Sequence, residues 1–188
     1  MSSKKKLRFE CDRKVIKYLQ SLLRWGIKNK EENDMDVEQL SFAVKIAIIF
    51  SGLYLWVGML TGVWKYWQIS RSVHAKAHYY VDIAHRSSLL YAPASLIIAV
   101  LAYFSVWSEG VNLILVLINL FFFSFSILSY VLHGWLKDTS NQFKVPHQMG
   151  CWQLPKWLLT SAMIILVIGE LGATAGLLLG IILGLSVF

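Results

Sequence analysis

Three of the chain's five histidines fall in one short run, Val73-His74-Ala75-Lys76-Ala77-His78-Tyr79-Tyr80-Val81-Asp82-Ile83-Ala84-His85-Arg86. Imidazoles titrate near neutral pH and bind metals, so the run points to proton handling or to metal ligation. At about 100° per residue, helical projection puts His74, His78, Asp82 and His85 on one stripe. His74 and His78, one turn apart, have a spacing that can chelate one ion from a single helix. A single histidine is enough for haem iron, given an apolar pocket and a group to hold its second nitrogen. Asp82, one turn from both His78 and His85, is expected in that supporting role. His74, beside Lys76, is expected to lie solvated at the membrane surface.

The elements that must position these groups are apolar. Hydrophobic residues make up 56% of the 188 and the mean hydropathy is +0.55, and runs of about 20 apolar residues read as membrane spans. Four such runs, at about 41–64, 83–107, 111–136 and 157–187, define an all-α membrane protein. The expected fold is a four-transmembrane-helix bundle over 41–188, preceded by a polar, amphipathic N-terminal segment over 1–40. Continuous rather than alternating apolar runs argue against a β-barrel. The net charge of +7 suits lipid head groups, so the lipid bilayer and not nucleic acid is the expected partner. Cys11 and Cys151 form no CxxC pair, and no nucleophile-elbow or phosphate-loop pattern is present.

Residues 1–40 carry ten Lys/Arg and seven Asp/Glu, with apolar positions near helical spacing, as in a helix lying on a membrane surface. The basic stretch at the start leads into charged sequence rather than the apolar core of a signal peptide. Four spans put both ends on one side. The basic residues of the two opposite loops favour those loops as cytoplasmic, whereas the long basic N-terminal segment resists translocation. The second argument is preferred: an integral, multi-pass protein of the cytoplasmic (inner) membrane with cytoplasmic termini.

The third span has a pattern of its own. Asn112, Asn119, Ser126 and His133 recur every seven residues, with Tyr130 close by, and form one polar stripe that should face the bundle interior. His133 then ends on the same side of the membrane as His74, His78 and His85. The polar loop to Lys156 adds Asp138, Asn141 and His147 there, so all five histidines share one side. In the fourth span Gly172, Gly176, Gly180 and Gly184 form a small-residue ridge suited to close helix packing, within the chain or in a homo-oligomer. Glu170 is a carboxyl inside the apolar run, a functional-site candidate by position.

The Ala75-Lys76-Ala77-His78 turn entering the second span, the four-span size and the polar loop after the third resemble the styrene oxide isomerase and hydroxylaminobenzene mutase group. That resemblance covers 41–185 in outline. It implies a membrane isomerase of a small hydrophobic substrate that uses ferric haem b as a Lewis acid, with His78 as the iron ligand and haem between subunits. His85, Asp82, Tyr130, His133 and Asn141 would then orient substrate or ligand. Where that group carries an Asn-Gly pair, this chain has Ala84-His85-Arg86. The Ala84-His85-Arg86-Ser87-Ser88 turn is similar to the His-Arg-Ser/Thr turn of succinate dehydrogenase membrane anchors. It implies a quinone- or electron-transfer cytochrome subunit, with His78 and His85 or His133 as paired ligands. A non-enzymatic transporter or assembly protein with a histidine-lined site is the third class.

Overall fold

The computed structural model describes residues 39–139, 141, 147–149 and 152–185. The amphipathic helix expected within 1–40 lies outside the described residues, as do the side chains of His147 and Gln148. Four helices fill the unit Ser41–Phe188: α1 Phe42–Arg71, α2 Tyr79–Phe104, α3 Glu109–Leu136 and α4 Lys156–Leu185. A short antiparallel hairpin, β1 His147–Met149 with β2 Trp152–Leu154, lies between α3 and α4. All four helices are long and apolar enough to cross a membrane. The chain is therefore an all-helical, multi-pass integral membrane protein. Its many exposed Leu, Ile, Val and Phe side chains are what a lipid-facing surface requires, because lipid tails solvate them as well as a protein core would.

The largest departure from the expected boundaries is in α1, which continues seven residues beyond Trp64 to Arg71. Nothing in Lys65–Ser70 breaks a helix, and the extra turns bring Lys65 and Gln68 beside the start of α2. At the other end Ser41 caps α1, its Oγ accepting from the Val44 N–H, while Glu109 Oε1 accepts from the Phe42 N–H. A carboxylate there satisfies a free helix donor and complements the helix dipole.

Helices α1 and α2 meet through glycines. A Cβ at Gly58 would strike Leu89, and one at Gly62 would strike the His85 ring. Ser51 Oγ donates to the carbonyl of Ala92 at 2.7 Å, beside Pro93 in the interior of α2. Tyr54 reaches from α1 to α3, where its hydroxyl donates to the Leu120 carbonyl at 2.8 Å and lies 2.8 Å from Ser124 Oγ.

The polar stripe of α3 faces inward as expected: Asn112, Asn119, Ser126 and His133 are all buried. Asn112 Nδ2 donates to the Trp107 carbonyl, and Asn119 Oδ1 accepts from Thr174 Oγ1 of α4 at 2.9 Å. Ser126 meets Tyr91 of α2. The stripe thus ties α3 to both neighbours.

The glycine ridge of α4 is used largely within the chain. Gly176 faces Leu115, Gly180 faces Ser105 and Trp107, and Gly184 faces Val106. The bare backbone also lets the α2–α3 turn bond to it: Trp107 Nε1 donates to the Gly176 carbonyl and the Val106 N–H to that of Gly180. Gly172 alone of the four has open space beside it. Three of the four positions are thus in contact with the chain's own residues.

Candidate functional site

The histidine-bearing face is formed by the end of α1, the turn to α2, the first turns of α2 and the end of α3. Helix α2 starts at Tyr79, and His78 is its N-cap residue with extended backbone. The preceding turn contains Ala75 at φ 50°, a left-handed conformation that interrupts any helix through this stretch. The helical stripe from His74 to His85 is therefore corrected: His74 and His78 do not lie on a helix. His74 is exposed, in line with its expected solvation, and no cluster of three metal-ligating groups occurs among the described residues.

His78 is held by its backbone, whose N–H donates to Gln68 Oε1 at 2.8 Å. Its ring is half-buried, and Nδ1 is buried with no hydrogen-bond partner. Burial, with Lys137 nearby, holds this imidazole below the usual histidine range against a smaller opposing pull from Asp138. A neutral imidazole with an unused nitrogen is the form that binds metals. The ring borders an open cleft of about 470 Å³ whose other walls include Trp67, Gln68, Arg71, Lys76 and Lys137. A second hollow of about 490 Å³ shares Trp67, Gln68 and Lys137, then continues along Trp64, Val131, Gly134 and Trp135. One end of the groove is cationic and the other is apolar and aromatic.

The other expected site residues divide into two groups. His133 and Tyr130 join His78 around one ring: Tyr80 lies 6.3 Å from the ring centre of His78, 5.1 Å from that of His133 and 6.2 Å from that of Tyr130. His133 Nδ1 lies 2.9 Å from Asp138 Oδ1, and both side chains are almost wholly buried. Lys137, in the left-handed conformation that ends α3, turns the chain so that Asp138 can reach back to His133.

His85 and Asp82 lie at the contact with α1. His85 Nδ1 lies 2.8 Å from the Gly58 carbonyl, so this nitrogen carries the proton and donates. Asp82 is clasped by Lys65 at 2.5 Å and Arg86 at 2.7 Å. These two cations, Lys65 on α1 and Arg86 on α2, tie Asp82 into the contact between the two helices. Asn141 is exposed at the same face, its N–H donating to Thr139 Oγ1.

Sequence reasoning placed Asp138 at this face without pairing it with His133, and it missed Tyr80, Gly58 and Gly62. Tyr80 carries no local signal of its role. Gly58 and Gly62 do carry one, a small-residue pair four apart in the first span. Comparison of the chain with protein-family models, with curated proteins and with solved structures returned no match. Fold and site together define the class, a four-helix multi-pass membrane protein with a groove at one face lined by His78, tryptophans and cationic side chains.

Proposed function

We propose that this protein binds haem b through His78 and isomerises a small hydrophobic substrate at the membrane face. The observation that carries the reading is the buried, unpartnered Nδ1 of His78 on a ring that borders the groove. Among the described histidines, His85 and His133 have their Nδ1 atoms engaged and His74 is exposed.

The surroundings suit the group. Arg71, Lys76 and Lys137 offer positive charge for its two carboxylates, and Trp64, Trp67 and Trp135 offer an apolar aromatic wall. When bound, haem supplies a Lewis acid that can polarise a substrate oxygen with no net oxidation. The chain's own residues supply the rest. His133, oriented by Asp138, is the group to take and return a proton. Tyr80 and Tyr130 pack beside it and hold its ring in place, while Trp64, Trp67 and Trp135 offer the apolar surface to a hydrophobic substrate. Asp82 and His85 are positioning residues that fix α2 against α1, and Asn141 stands at the rim. The protein would sit in the cytoplasmic membrane with cytoplasmic termini, a placement supported by the basic segment over 1–40.

The test is an absorption spectrum and metal analysis of detergent-purified protein from haem-supplied cells. A Soret band is expected in the wild type and in His85→Ala but not in His78→Ala. A colourless, metal-free wild-type preparation overturns the reading. Turnover of a small epoxide without an added electron acceptor separates an isomerase from an electron-carrying subunit.

A further inference from the structure

The proposed chemistry leaves one buried titratable group unused. Glu170 lies within α4, fourteen residues from its start at Lys156, well inside the apolar span. Its Oε1 is buried and has no hydrogen-bond partner. Among the described residues, no lysine, arginine or histidine forms an ion pair with it. The titratable groups facing it are Tyr91 of α2 and Tyr130 of α3. An ionised carboxylate without a cation is strongly disfavoured in such a place, whereas the neutral acid is tolerated.

Hydroxyl-bearing and aromatic side chains extend from it towards the membrane face. Tyr91 bonds to Ser126 of the α3 stripe. Tyr130 stacks on Tyr80, and Tyr80 packs against His133, which is paired with Asp138. Elsewhere in α4 the side chains at this depth are aliphatic or small. The one carboxyl of the span is therefore the one that faces the hydroxyl-bearing residues of its neighbours.

We propose that Glu170 is an intramembrane proton-binding site, connected through Tyr91 and Tyr130 to the His133–Asp138 pair at the histidine-bearing face. The carboxyl holds one proton in the resting protein. When that proton leaves, it passes by way of the tyrosine hydroxyls and ordered water to the His133 side, and a proton from the same side replaces it. No electron transfer is involved. This site does not depend on haem, so it stands or falls separately from the proposed isomerase.

Two measurements on the full chain in lipid nanodiscs at neutral pH test it. The first is reaction with the lipid-soluble dicyclohexylcarbodiimide, which adds to a protonated carboxyl in an apolar setting, followed by peptide mapping. Modification at Glu170 is expected in the wild type and absent in Glu170→Gln. The second is the infrared carbonyl band of the protonated acid and its shift after transfer to D₂O. That exchange should be slowed about tenfold or more in Tyr130→Phe or Tyr91→Phe, as a barrier raised by ~1.4 kcal/mol produces. An unreactive Glu170 or an ionised carboxylate in the wild type overturns the proposal. So does exchange at the wild-type rate in both tyrosine variants. The wild-type readings decide the protonation even if Glu170→Gln folds poorly.

Discussion

The two ends of the bundle solve the same problem in opposite ways. At the end away from the histidines, most polar groups find partners in the backbone. Glu109 caps α1, Trp107 Nε1 and the Val106 N–H bond to glycine carbonyls of α4, and Asn112 bonds to the α2–α3 turn. At the histidine end the helices part around a groove, one imidazole nitrogen is left without a partner, and cations line the opening. Unsatisfied buried polar atoms are costly and uncommon, and both ends hold such an atom, Asn112 Oδ1 at the closed end and His78 Nδ1 at the open end. Only the second belongs to a residue that borders this cleft, which marks the open end as the place for a ligand.

If the open end is a built site, its buried pair must be firmly held. Asp138→Ala leaves His133 buried without its partner and should cost roughly 3 kcal/mol of stability, the upper end for a buried polar group left unpaired. Reversible unfolding in mixed micelles measures it. A cost near zero would mean that this end is loosely packed and that the contrast is only apparent.

The closed end is expected to yield the next largest effect. A Cβ at Gly180 would run into Ser105 and the Trp107 ring, so Gly180→Ala should destabilise by about 1–3 kcal/mol, the range for overpacking. It should leave the absorption spectrum of purified protein unchanged, because the site is at the other face. Gly172→Ala, with open space beside it, is the matched control and should be neutral. Equal effects at the two glycines would contradict the packing described for α4.

Between the ends, Thr174→Val removes the hydroxyl that donates to Asn119. Interhelical hydrogen bonds in membranes average about 0.6 kcal/mol, and the same unfolding assay should return a loss of that size. A much larger loss would show that the stripe of α3, and not the two ends, dominates the stability of the bundle.

How much of this was legible in the sequence follows the same division. The four spans and the inward stripe of Asn112, Asn119, Ser126 and His133 were readable because length, apolar composition and a seven-residue period suffice to define them. The histidine stripe was misread because Ser72–Ala77 contains no glycine or proline to announce a break, yet Ala75 adopts a left-handed conformation there. Projection on a continuous helix then joined His74 to residues it does not approach. The partners of Asp82 were missed for a related reason: ending α1 at Trp64 left Lys65 outside the helix that carries it to α2. Long-range pairs such as Tyr80 with His133 depend on how helices dock, which no local pattern records.

The smallest effect expected concerns pH and isolates the open end from the rest of the molecule. The folded state holds His78 below the ordinary imidazole range, so the unfolded chain binds the proton more readily. The linkage sign follows: stability is full above the unfolded value, about 6.5, and is lost as pH falls through the folded value. His78→Gln removes the group and should flatten this part of the stability–pH profile in protein free of ligand. Because the ring is only half-buried, solvent screens the effect and a shallow slope is expected. The slope should disappear in His78→Gln and persist in Gly180→Ala, whose change lies at the closed end. Persistence in both variants would assign the titration to another group and remove His78 from its special place at the open end.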